Sequence, residues 1–231
     1  MKTETQIEIR ELQFEATKNS GEVGAIFMRP PKPRWLLVLG HGAGAGMKHH
    51  FMETLARELA AHDVATLRYQ FPYMEQGKKA PDPQPILLKT VRSAIAFAEK
   101  YSDGLPLFAG GKSLGGRMTS LAASIEALPK VQGFVFFGFP LHAPEQPSDQ
   151  RAEHLMKVNV PMLFLQGTRD HLAHLDLLRP VCEKLGKLST LHTIDGADHG
   201  FHVLKSSGKN DGDIITILAE TTAGWLSQRS D

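Results

Sequence analysis

The chain has 231 residues, 42% apolar and 22% charged, with a formal net charge of +1. That length supports one domain with a sizeable core, and a near-neutral balance without a basic block argues against a surface that tracks nucleic-acid phosphates. A single cysteine, Cys182, excludes an intrachain disulfide and any metal site built from several thiolates.

Residues 1–14 are charged and alternating, with no apolar stretch of signal-peptide length. No apolar run long enough to span a bilayer follows. The expected location is the cytoplasm, without membrane contact. Residues 6–14 and 24–28 read as two early strands forming an antiparallel edge. From Trp35 onward, strand-like runs at 35–39, 64–69, 106–109, 131–137, 161–165 and 191–194 alternate with helix-period segments at 51–61, 87–100, 114–128, 175–185 and 214–226. Several strand runs are almost wholly apolar, as strands covered on both faces are. The alternation predicts an α/β fold, a doubly wound and mostly parallel sheet. Proline-rich stretches at 78–85 and 139–147 read as loops. Only about twenty residues separate the strand ending near Phe137 from the next, which leaves no room for a large cap.

The sharpest local signal is Gly111-Lys112-Ser113-Leu114-Gly115, between a predicted strand and a predicted helix. A serine there needs a very tight turn, and small residues two before and two after it let neighbouring chain approach. The turn pushes the hydroxyl out at the carboxyl edge of the sheet, beside the positive end of a helix. The Leu114 amide then faces the place where a carbonyl oxygen gains charge.

A serine hydroxyl needs a base. Among eleven histidines, His199 in Asp195-Gly196-Ala197-Asp198-His199-Gly200 follows the last predicted strand, at the edge where Ser113 emerges. His192 lies within that strand, and His62, His154 and His174 read as helix-surface residues. The imidazole needs a carboxylate to fix its tautomer. Asp170 follows the strand at 161–165 and is preferred over Asp195 and over Asp198, whose place beside the histidine suits turn capping. After the first parallel strand, Gly40-His41-Gly42-Ala43-Gly44-Ala45-Gly46 has little side-chain bulk. The Ala43 amide is the candidate second oxyanion donor, with His41 bracing the loop.

Other readings fail on counting. From Gly40 and Gly42 the third glycine of G-x-G-x-x-G would be Ala45, and from Gly42 and Gly44 it would be Met47. Gly111-Lys112-Ser113 imitates the end of a P-loop, but the required first glycine is Pro106. His49 and His50 are adjacent and expected to face different ways, and no HExxH pair exists. No metal and no cofactor is expected. Cys182 has apolar neighbours at helical spacing and reads as a buried small hydrophobe.

With these residues in place, the chain resembles the α/β-hydrolase superfamily over nearly its whole length. Within it the chain is similar to the small cap-less family of testis-expressed protein 30 and the third subunit of the NSL complex, which is related to dienelactone hydrolases. The matching stretches are His41-Gly42-Ala43, residues 111–117 (GKSLGGR), residues 139–144 (FPLHAP), Gly167 to Asp170 and Ala197 to His199. The resemblance implies that Ser113, Asp170 and His199 are nucleophile, acid and base, and that Phe139 and His142 border the substrate pocket. The expected activity is hydrolysis of an ester-type small molecule, a carboxylic ester or thioester. Some relatives serve as complex subunits, so a non-catalytic scaffold that binds a protein partner is the alternative. Oligomeric state is not readable.

Overall fold

The structure, a computed structural model, describes residues 6–229. The first five residues of the predicted amino-terminal segment lie outside the described residues. Eight strands form one sheet: β1 (Glu8–Thr17), β2 (Gly21–Arg29), β3 (Trp35–Gly40), β4 (Val64–Tyr69), β5 (Leu107–Lys112), β6 (Val131–Phe137), β7 (Met162–Gly167) and β8 (Ser189–Ile194). Their spatial order is β1-β2-β4-β3-β5-β6-β7-β8. The pairs β1–β2 and β2–β4 are antiparallel, and every pair from β4–β3 to β7–β8 is parallel.

Six α-helices cover the sheet: α1 (His50–Ala61), α2 (Pro72–Glu75), α3 (Gln84–Glu99), α4 (Leu114–Ile125), α5 (Leu175–Leu185) and α6 (Asp211–Ser227). The pleat sends alternate side chains to opposite faces. Leu36, Val38, Phe134, Phe136 and Phe164 pack on the side of α3, α4 and α5. Trp35, Leu37, Leu39, Val135, Phe137 and Leu163 pack on the side of α1 and α6. Both faces are therefore dry, which is why the central strands are mostly apolar.

Element ends differ from the sequence reading for local reasons. Helix α4 stops at Ile125 rather than 128, because Pro129 disfavours helical geometry in the residue before it. Helix α3 starts at Gln84 with a proline in its first turn, a position that tolerates the missing N–H. Helix α6 starts at Asp211 on a capping box of Asn210 and Asp213, ahead of its first apolar residue. Strand β5 runs through Gly110 and Gly111 to Lys112. The β6-to-β7 connection holds only a 3-10 helix, Gln150–Lys157, so no cap covers the sheet edge. Among the described residues, no helix is long and apolar enough to cross a membrane.

Candidate active site

The position of the candidate nucleophile is set by the turn between β5 and α4. Ser113 has φ 49° and ψ −111°, a left-handed geometry that costs an L-residue on the order of 1–3 kcal/mol unless its surroundings hold it. The Ser113 amide donates to the Phe137 carbonyl at 3.1 Å, tying the turn to β6. Gly115 lies against β3: a β-carbon there would sit 2.2 Å from the Gly40 carbonyl oxygen. Gly111, at φ +146°, would place a β-carbon 2.1 Å from the same oxygen. The glycines flanking the serine are thus needed for close approach of β3.

Two further loops converge on the hydroxyl. His199 Nε2 lies 2.9 Å from Ser113 Oγ, and His199 Nδ1 lies 2.7 Å from Asp170 Oδ2. An ionised carboxylate only accepts hydrogen bonds, so Nδ1 carries the proton and Nε2 presents a lone pair to the hydroxyl. The Asp170 side chain is fully buried. It also accepts the Leu172 amide at 2.8 Å on Oδ1 and the Gln166 side-chain amide on Oδ2. The two loops are knitted together by Thr168 N–H to the Ile194 carbonyl (3.0 Å) and Arg169 N–H to the Ala197 carbonyl (2.9 Å). Asp198 caps the histidine turn, accepting the amides of Gly200 (2.8 Å) and His202 (3.0 Å). Asp195 is exposed and accepts from Thr168 Oγ1 at 3.3 Å.

Burial lowers the His199 pKa, the Asp170 hydrogen bond opposes that, and the nearby Lys112 charge lowers it further. The imidazole is therefore neutral near pH 7 and able to accept a proton. Lys112 itself is pushed down to about 8 by burial, against the pull of Asp170 and Asp198.

In the loop after β3, Gly42 to Ala45 forms a turn closed by the Ala45 amide on the Gly42 carbonyl (3.3 Å). His41 braces it. Its Nδ1 donates to the Gly42 carbonyl at 2.8 Å, and its Nε2 accepts the Phe71 amide at 3.1 Å. Burial pushes the His41 pKa down to about 4. Leu114 is the first residue of α4, so its amide has no acceptor within the helix. Ala43 lines a cavity of about 420 Å³ that opens at Ser113 and His199, with Phe51, Met52, Phe201 and Ile215 on its walls. His49 and His50 both line it, although adjacent residues were expected to diverge. Among the described residues, no three His, Cys, Asp or Glu side chains gather as a metal ion requires.

The segment 139–144 is placed differently from the expectation. Phe139 is 1% exposed and packs against Phe136 and Phe164 at ring distances of 5.2 and 5.8 Å. His142 is 2% exposed, bonds the Ala143 carbonyl at 2.9 Å and rests on His174. Neither lines the cavity beside Ser113. The chain folds back here because the Leu141 and His142 amides both donate to the Leu172 carbonyl (2.9 and 3.1 Å), which supports the Asp170 loop from below. His154, read as a surface residue, is half-buried with Nε2 2.7 Å from Ser120 Oγ. Cys182 is buried among apolar side chains, and burial raises its pKa to about 11.

Sequence reasoning missed Gln166 and Lys112. Gln166 is the only polar side chain in the buried run of β7. It accepts the Phe139 amide at 2.9 Å while donating to Asp170. That lone amide in an apolar strand was the available signal.

A tight strand–serine–helix turn, with Asp170 and His199 brought to it by the loops after β7 and β8 of one doubly wound sheet, has the arrangement of an α/β-hydrolase. Residues 33–227 match the alpha/beta hydrolase domain family, and the chain belongs to it. The fold is similar to that of a dienelactone hydrolase from Anabaena variabilis ATCC 29413 (TM-score 0.77, 18% identity, 97% of this chain and 99% of that one). It is also similar to XC6422 from Xanthomonas campestris, an α/β serine hydrolase without lid (TM-score 0.71, 17% identity, 94% and 95% covered). The esterase domain of a Rhodothermus marinus protein matches with TM-score 0.70 at 16% identity, covering 96% of this chain and 98% of that one.

Proposed function

We propose that the protein is a serine hydrolase that cleaves a carboxylic ester or thioester of a small molecule through an acyl-enzyme on Ser113. The observation that carries this reading is the Asp170–His199–Ser113 chain, at 2.7 and 2.9 Å, opening on an apolar-walled cavity. Ser113 Oγ attacks the carbonyl carbon while His199 Nε2 takes the hydroxyl proton, and the Leu114 and Ala43 amides hold the oxyanion. As the tetrahedral species collapses, the carbon–oxygen or carbon–sulfur bond breaks and His199 protonates the leaving group. His199 then draws a proton from water, which attacks the acyl carbon and frees the acid and the serine. Asp170 keeps the imidazole oriented and offsets its charge throughout. The cavity favours an apolar limb on the substrate, because each methylene taken from water contributes about 0.8 kcal/mol.

The test is hydrolysis of short p-nitrophenyl esters by wild type and Ser113→Ala. The reading expects measurable wild-type turnover that vanishes in the variant. Turnover that persists in folded Ser113→Ala rules it out.

A further inference from the structure

Lys112 is not accounted for by the triad. It ends β5, next to the nucleophile, and its side chain reaches into the wall of the cavity. Nζ donates to the backbone carbonyl of His199 at 2.6 Å. The same nitrogen lies 5.3 Å from the centre of the Phe201 ring and 5.8 Å from that of Phe51. Among the described residues it makes no salt bridge, which leaves a half-buried cation held by one carbonyl and two ring faces. Gly138 leaves the room for this. A β-carbon there would stand 3.2 Å from Nζ and 3.5 Å from His199 Nδ1, so ammonium and imidazole flank one point.

Burying a lysine costs several kcal/mol of lost hydration unless its surroundings compensate, and a methionine would fill the same space. Two things are lost with that swap. One is the side-chain bond to the His199 peptide carbonyl; the other is a positive charge beside the imidazole.

We propose that Lys112 is a positioning residue for His199: it grips the carbonyl of the catalytic histidine and its charge keeps the imidazole in the form that accepts the serine proton. This rests on the hydrolase reading above. The other groups facing the imidazole are Asp170 and His171 from the loop after β7, and Asp198 and His202 from its own loop. Asp211 of α6 pairs with His202 at 2.6 Å, and His49 and His50 of the α1 end line the same cavity. Asp170 favours a protonated imidazole through its hydrogen bond and its charge, and Lys112, with His171, works against it.

Three variants separate the two roles: Lys112→Met removes donor and charge, Lys112→Gln keeps a donor, and Lys112→Arg keeps the charge. The readouts are the pH profile of kcat/KM on a p-nitrophenyl ester and the NMR titration of His199. Loss of charge should move the acid limb up by about one pH unit in the Met and Gln variants and leave it in place in Arg. The plateau above that limb should fall about 10- to 100-fold in Met, through kcat rather than KM, because the base is no longer held in register. Superimposable limbs in folded Lys112→Gln and wild type overturn the proposal. Should neither neutral variant fold, the wild-type His199 resonance decides: it must show a second inflection as Lys112 loses its proton, and a single inflection overturns the idea. A wild type inert to esters and to fluorophosphonates would sink the hydrolase reading itself. Activity with an unmoved limb sinks only the role of Lys112.

Discussion

Two imidazoles at the same rim of this sheet, His41 and His199, differ in what they are bonded to. His41, after β3, is enclosed and hydrogen-bonded to backbone, the Gly42 carbonyl and the Phe71 amide. His199, after β8, is bonded to a carboxylate on one side and a hydroxyl on the other, and it faces a cavity. Burial lowers the pKa of both. What separates the two is therefore the identity of the partners: in the proposed mechanism Asp170 offsets charge on His199, whereas the partners of His41 are backbone groups.

The comparison breaks most sharply by deletion. His199→Ala should lower kcat/KM by about 10⁵- to 10⁶-fold, as loss of the base alone does where triad members act as a unit. His41→Asn should leave most activity in place. Comparable losses in the two folded variants, measured on one ester, would erase the distinction. Asp170→Asn should cost about 10³- to 10⁴-fold, because an amide donor facing Nδ1 selects the wrong tautomer; steady-state kinetics at pH 7–8 reads this directly.

Much of this site was legible because it is local. The serine turn needs Gly111 and Gly115 within two residues on either side, and both meet the Gly40 carbonyl. Asp170 and His199 follow directly after strands, so sheet polarity alone puts them at the edge where Ser113 emerges. Phe139 and His142 were not legible, because their direction depends on how residues 139–142 turn back onto Leu172, a long-range contact with no periodic trace. The short helix α2 and the 3-10 helix Gln150–Lys157 are too brief to show an apolar period. Lys112 was hidden by its neighbours: Gly-Lys-Ser invites a phosphate reading, whereas its actual partner lies in the loop after β8.

Acid acts on the fold through the enclosed His41. His41 titrates at about 4 in the folded protein and near 6.5 when unfolded. Below pH 6.5 the unfolded chain takes up a proton that the folded state refuses until about pH 4. Stability is thus complete above 6.5 and falls through that window, by roughly 3 kcal/mol from this group. Urea unfolding at pH 7 and pH 4.5 measures the fall, and His41→Asn should shrink it; an unchanged pH slope would contradict the assignment. The smallest effect belongs to the core ring behind the site. Phe139→Leu should cost about 1–2 kcal/mol of stability and leave the preference among acyl chain lengths unchanged, and a shifted preference would return Phe139 to the pocket wall.

The most direct measurement is the mass of the intact protein after exposure to a fluorophosphonate, with the adduct located by peptide sequencing. The account predicts one adduct per chain, on Ser113, formed quickly in wild type and lost with His199→Ala. A folded wild type that takes up no label, or takes it up at another residue, contradicts the claim that Asp170, His199 and Ser113 act together.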